Sequence, residues 1–205
     1  MMNPLRRTLM ARCTAVLCGL ALSSAVFAAD TPAAAQPQVA LKTSLGDIVV
    51  ELDPEKAPIT VANFLQYVKS GFYKGTIFHR VIDGFMIQGG GYDAKMKEKK
   101  TNKPIKNESN NGLKNVTYSI AMARTNDHNS ATSQFFINVG DHPALDYPGR
   151  DGSGYAVFGK VIAGQDVVDK IKGVMVDDTM GQQNVPVVPI VIQSASIVNA
   201  GKPVK

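Results

Sequence analysis

The chain has no tryptophan, three histidines and two cysteines in 205 residues. Both cysteines, Cys13 and Cys18, fall inside the first 28 positions. Past that segment there is no thiol, which excludes disulfides, a cysteine nucleophile and thiolate metal sites. Stability has to come from a packed core. The histidines, His79, His128 and His142, are scattered, and none is spaced with another histidine or a carboxylate as metal ligands are. Each reads as a turn or surface histidine. There is no G-x-S-x-G elbow, no H-E-x-x-H, no phosphate loop and no G-x-G-x-x-G opening a helix. A hydrolase needs an activated nucleophile or a metal-bound water, and the sequence advertises neither. No metal and no cofactor are expected.

Residues 1–28 have the pattern of a secretory signal peptide. Arg6, Arg7 and Arg12 precede an uncharged, mostly apolar stretch from Cys13 to Phe27, and Val26-Phe27-Ala28 offers a cleavage site after Ala28 or Ala29. That stretch is short for a membrane span, and no later segment has 18 consecutive apolar residues. Removing residues 1–28 takes three arginines and no acid, which lowers the formal charge from +5 to +2. A nearly balanced surface of this kind is not that of a nucleic-acid binder. The expected organisation is a signal at 1–28, a Pro/Ala linker at 29–38, one domain at 39–200 and a tail at 201–205. We expect a monomer with no stable membrane insertion once the signal is removed.

From Val39, two strands around Gly46 are expected, rich in β-branched residues and nearly alternating. A helix follows Pro58, with Val61, Phe64, Leu65 and Val68 at helical spacing and Gly71 as a left-handed cap. TIFHRVI, FMIQGG, VTYSIAM, SQFFINV, YAVFGKVI and IVIQSASIV read as short strands, and Gln165–Ile171 as a second short helix. Many short strands without βαβ alternation point to an antiparallel barrel or sandwich plugged by helices. Residues 95–106 (KMKEKKTNKPIK) form a lysine-rich stretch that reads as a solvated loop, with an anionic partner as the functional alternative.

Two runs mix bulky apolar groups with isolated polar ones: FHRVIDGFMIQGG (78–90) and SQFFINV (133–139). The period of two places Gln134 and Phe136 on one face and Phe135 on the other. By the same period Phe78 and Arg80 share a face and His79 points away. An arginine among Phe, Met and Ile is either a functional group or half of a structural ion pair.

These runs, with SATSQFFINV, YAVFGKVIAGQDVVDKI and the opening LKTSLGDIVVELDPEKAPITVANFLQYVKSGFY, resemble the cyclophilin family from about Val39 to Val198. The segment IAMARTNDHNSATSQFF and the tyrosine of GYAVFGKV resemble its bacterial branch, which favours the periplasm as destination, with secretion to the medium as an alternative. The resemblance implies a mainly β fold, a closed eight-stranded antiparallel barrel capped by two helices. It also implies peptidyl-prolyl cis/trans isomerase activity on proline-containing polypeptides, at a site on the barrel's outer face.

By motif, the resemblance makes Arg80 the catalytic arginine and Gln88 the ligand of a substrate carbonyl. Phe85, Met86, Phe136 and Leu145 line the proline pocket, with Tyr155 where other members carry a histidine. Ala123 and Arg124 offer backbone groups to the peptide, and Gln134 supports Arg80. A two-residue Asp83-Gly84 turn would pair Arg80 with Ile87 and put Gln88 on the opposite face, so the shared site requires a wider connection. Ala144 stands where many members carry tryptophan, which implies weak cyclosporin binding with turnover largely kept. The runner-up reading is a cyclophilin-like peptide-binding chaperone with incidental turnover. A lipocalin-like ligand barrel is disfavoured by the helices and the external polar cluster.

Overall fold

The computed structural model describes residues 36–179 and 181–198. The expected signal, most of the linker and the tail lie outside the described residues. Ten strands and two α-helices follow one another as β1 (Gln38–Thr43), β2 (Gly46–Leu52), α1 (Pro58–Lys69), β3 (Thr76–Ile82), β4 (Met86–Asp93), β5 (Ser119–Met122), β6 (Phe135–Asn138), β7 (Val157–Ala163), α2 (Gln165–Lys172), β8 (Val176–Thr179), β9 (Gln182–Pro186) and β10 (Ile190–Val198). Eight strands close an antiparallel barrel in the order β1-β10-β3-β4-β6-β5-β7-β2, while β8 and β9 form a separate hairpin.

The alternating residues of β1 and β2 explain their place in the wall. Val39, Leu41, Ile48, Val50 and Leu52 all turn into one core. Gly46 adopts φ +133° at the hairpin, and a Cβ there would lie 2.7 Å from Val167 Cγ2, so glycine lets α2 pack directly on the turn. Helix α2 buries Val167, Val168 and Ile171.

Helix α1 contributes Val61, Phe64 and Val68 to the core as its spacing predicts. Tyr67 is buried as well, whereas Leu65 is only partly buried, so the buried stripe is centred on the 64–67 side. Pro58 sits in the first turn, Ser70 ends the helix and Gly71 follows in the left-handed region at φ +69°. Ala57 supplies no side-chain cap. The open N–H groups are met instead by Glu108, whose carboxylate accepts from Ile59 N (3.1 Å), Thr60 N (2.8 Å) and Thr60 Oγ1 (2.7 Å). Glu108→Ala is expected to lower stability by about 1–2 kcal/mol, read as a shift in the urea midpoint at unchanged slope.

The lysine-rich stretch is tied down at several points. Asp93 accepts from Lys95 N (2.8 Å) and Lys97 N (3.0 Å), Asn102 N donates to Tyr67 Oη (2.9 Å), and Ile105 N donates to the Ala131 carbonyl (3.0 Å). The β8–β9 hairpin was not expected. Its strands are polar and mostly exposed, so no apolar alternation marks them.

Candidate active site

The site is built where β3, β4, β5 and β6 turn their outer face toward the loop that follows β6. Strand β3 meets β4 through a connection wider than two residues. Ile82 pairs with Met86, and Asp83, Gly84 and Phe85 lie between them. Phe85 N donates to the Ile82 carbonyl (3.1 Å), closing a tight turn with Gly84 at φ +71°. Phe85 is the extra residue, and it brings Arg80 opposite Gln88. The Phe85 carbonyl accepts from Val139 N (3.0 Å) and from His142 Nε2 (2.8 Å), and its ring meets the His142 ring at 4.8 Å. His142 therefore positions Phe85 and is not simply a surface histidine.

Strand β3 also departs from simple alternation. Phe78 pairs with Gly89 and Arg80 with Gln88, so two steps on β3 face one on β4. Such a bulge resets which residues point inward. Phe78 and Val81 both enter the barrel core, while His79 and Arg80 line an outer cavity. The expectation that Phe78 and Arg80 share a face is corrected by this bulge. In β6 the period of two holds. Phe135 is in the barrel core, and Phe136 joins a second, outer apolar cluster with Met86, Ala121 and Val157.

Around that cluster lies a cavity of about 270 Å³ lined by Arg80, Phe85, Met86, Gln88, Ala123, Arg124, Phe136, Leu145 and Tyr155. Nine of the ten residues singled out from the sequence thus meet in one cavity. The tenth, Gln134, lines an adjoining polar cavity of about 420 Å³ that shares Arg80, Gln88, Ala123 and Arg124. Gln134 Oε1 accepts from Gln88 Nε2 at 2.9 Å. Its hydrogen bond therefore goes to Gln88, where support of Arg80 was expected. Gly91 makes room for this, since a Cβ there would stand 2.5 Å from Gln134 Cγ.

Arg80 is half-buried, and among the described residues its guanidinium makes no side-chain hydrogen bond and no ion pair. The structural ion pair weighed from the sequence is absent among them. Arg124 is the opposite case. Its Nε and Nη2 donate to the Gly154 carbonyl (3.0 and 2.9 Å), Nη1 to the Thr125 carbonyl (3.0 Å), and Nη2 also to Asp151. Its guanidinium lies over the Tyr155 ring at 4.4 Å, and Tyr155 meets Phe136 edge-on at 5.7 Å. The Arg124 side chain thus fastens the Tyr155 wall. Asp151 is held well below the usual carboxylate range, first by the Arg124 guanidinium and then by Gly154 and Ser153 N–H donors. Ala123 N donates to the Gln134 carbonyl (3.0 Å), so this N–H is already engaged within the barrel.

Sequence reasoning missed several neighbours. His79 is 3% exposed, its ring lies 4.7 Å from the Tyr92 ring at a tilt of 53°, and its Nδ1 has no hydrogen-bond partner among the described residues. The sequence reads it as a turn or surface histidine pointing away from Arg80; it is buried and lines the same cavity as Arg80, because the bulge breaks the alternation. Burial, and then the neighbouring Arg80 charge, push its pKa down to about 4. Because the unfolded chain binds that proton below pH 6.5 and the folded one does not, the folded state loses stability as pH falls from about 6.5 to 4. His79→Gln is expected to flatten this part of the stability–pH curve, which amounts to about 3 kcal/mol in full, measured by urea unfolding at pH 7.5 and 4.5. Gln182, from the unexpected β8–β9 hairpin, also reaches the polar cavity.

The fold and site together define a β-barrel protein with a groove of two adjoining cavities on its outer wall. Residues 38–197 match the family described as cyclophilin type peptidyl-prolyl cis-trans isomerase/CLD. The peptidyl-prolyl cis-trans isomerase A of Dickeya dadantii is 55% identical over 177 residues, covering 86% of this chain and 93% of the relative. Isomerase B of Escherichia coli is 53% identical over 161 residues, covering 78% and 98%. A Cryptosporidium parvum cyclophilin-type isomerase crystallised in the presence of the dipeptide Ala-Pro superposes with a TM-score of 0.66 at 29% identity, covering 79% of this chain and 99% of that one. The chain belongs to the cyclophilin-type peptidyl-prolyl cis/trans isomerase family. It is a peptidyl-prolyl cis/trans isomerase, and its substrates are proline-containing polypeptides.

Proposed function

We propose that this isomerase is exported and assists folding of polypeptides in the periplasm, with Arg80 as its catalytic residue. The observation that carries the reading is the Arg80 guanidinium, without a hydrogen-bond or ion-pair partner among the described residues, on the wall of a cavity that also holds Phe85, Met86 and Phe136, beside a Gln88 fixed by Gln134. Rotation about an X–Pro bond faces a barrier of about 18–20 kcal/mol, set by amide resonance. In the twisted state the proline nitrogen regains a lone pair, and Arg80 donates to it there. In the planar state that nitrogen is a poor acceptor, so the contact favours the transition state.

Phe85, Met86, Phe136, Leu145 and Tyr155 hold the ring and exclude water. Gln88 holds a substrate carbonyl, and the Ala123 carbonyl and Arg124 N–H extend the grip along the peptide. No bond breaks, so about 7 kcal/mol of differential binding gives roughly five decades of rate.

Export is supported by the arginines, apolar stretch and small residues of positions 1–28. Expression of the full chain should place it in the periplasmic fraction as a monomer, with a new N-terminus at Ala29 or Asp30. Retention in the cytoplasm at full length would contradict the export reading. Ala144 leaves the rim without an indole, so cyclosporin is expected to inhibit turnover only above about 1 µM, a threshold of about 8 kcal/mol of binding. Submicromolar inhibition of Ala-Pro peptide turnover would contradict that.

A further inference from the structure

The stretch 95–106 holds six lysines and one glutamate, a net charge of +5. Residues 29–205 sum to +2, so everything else in them sums to −3. The positive charge is therefore local. A charge run of this kind is ordinarily a floppy solvated loop, but this one is fixed in place. Its backbone is tied to Asp93, Tyr67 and Ala131, and Lys99 Nζ donates to the Phe72 and Lys74 carbonyls and lies 4.6 Å above the Phe72 ring. The other five lysines, at 95, 97, 100, 103 and 106, are exposed, and none forms an ion pair among the described residues.

The ridge adjoins the groove. Glu98 and Thr101, which belong to it, line the polar cavity that continues from the proline cavity through Arg80 and Gln88. On the proposed placement of the proline nitrogen at Arg80, the chain upstream of the proline leaves the site past Gln88, through this polar cavity and over the lysines. Downstream residues leave past Phe85 and Leu145. We infer that the ridge is a docking surface for acidic segments of substrate polypeptides lying upstream of the isomerised proline. Five unpaired cations on a tethered backbone attract a flexible acidic chain without needing a shaped pocket. Their pull adds to encounter rate and falls with ionic strength.

The test uses residues 29–205 and a common Ala-Pro core extended by four glutamates or four glutamines, upstream or downstream. Turnover and peptide binding by fluorescence anisotropy are measured at 20 mM and 500 mM NaCl. At low salt the upstream Glu peptide should exceed its Gln counterpart in kcat/KM and affinity by about tenfold, falling toward onefold at high salt. The downstream Glu peptide should show no such gain. Reversal of Lys95, Lys97, Lys100 and Lys103 to glutamate should invert the upstream preference. A Glu/Gln ratio near one at low salt, a ratio untouched by the reversal, or an equal gain downstream would overturn the inference. Binding of vesicles containing anionic lipid, abolished by the reversal, together with no peptide preference, would also overturn it and assign the ridge to membranes. Loss of Arg80 as the key residue would show separately, as an Arg80→Ala variant that still turns over the Gln peptide.

Discussion

Arg80→Ala is expected to lower kcat/KM for an Ala-Pro peptide by about 10²- to 10³-fold, the effect of losing one donor aimed at a transition state. The unfolding free energy should stay within about 0.5 kcal/mol of wild type. Both expectations follow from one geometry. Arg80 has no protein partner among the described residues, so its removal leaves no buried group unsatisfied. Its place on the cavity wall opposite Gln88 comes from the bulge in β3 and the three-residue connection to β4, and neither depends on its side chain. Arg80→Lys should recover little, because a point charge on a flexible stem does not reproduce the planar guanidinium. A stopped assay of cis-to-trans conversion, with the urea midpoint as control, reads both quantities.

The largest expected loss of stability is at Phe64. This fully buried ring on α1 contacts Tyr73 (5.2 Å), Phe135 (5.6 Å) and Phe158 (5.2 Å), joining the helix to barrel strands β6 and β7. Phe64→Ala should cost about 3–5 kcal/mol through lost transfer energy and the cavity left behind. For a domain of this size that corresponds to a fall in Tm of about 6–20 °C, measured by calorimetry. Phe64→Leu keeps most of the volume and should cost less than half as much. Because Phe135 and Phe136 are neighbours that face opposite sides of β6, the substitution loosens the strand that also carries the site. Turnover at 10 °C should nevertheless survive, since no site residue is removed.

Much of this architecture was legible in the residues. The alternation in Val39–Asp53, the stripe on α1 and the split of Phe135 from Phe136 are periodicities, and periodicity reports which side of an element meets the core. Gly71 and Pro58 marked the ends of α1 because each has a backbone preference that fits only there. Three kinds of feature escaped. The bulge at His79–Arg80 hides because one extra residue in a strand leaves no compositional mark, so Phe78 was assigned to the wrong face. The cap of α1 by Glu108 joins residues 48 apart, and nothing local announces it. The β8–β9 hairpin carries no apolar stripe.

In the site, the residue set followed from resemblance, while its internal wiring did not. The Gln88–Gln134 pair, the Arg124 clamp on Gly154 and the His142 hold on Phe85 are tertiary contacts between distant segments. Side-chain identity alone does not specify them.

The proposed role of Arg80 is to stabilise the twisted amide and not the bound substrate. NMR exchange spectroscopy on an Ala-Pro peptide saturating wild type and Arg80→Ala separates the on-enzyme isomerisation rate from affinity. The on-enzyme rate should fall by at least about a hundredfold while the dissociation constant changes by less than about threefold. An unchanged on-enzyme rate with weakened affinity would contradict it, and would make Arg80 a binding group alone.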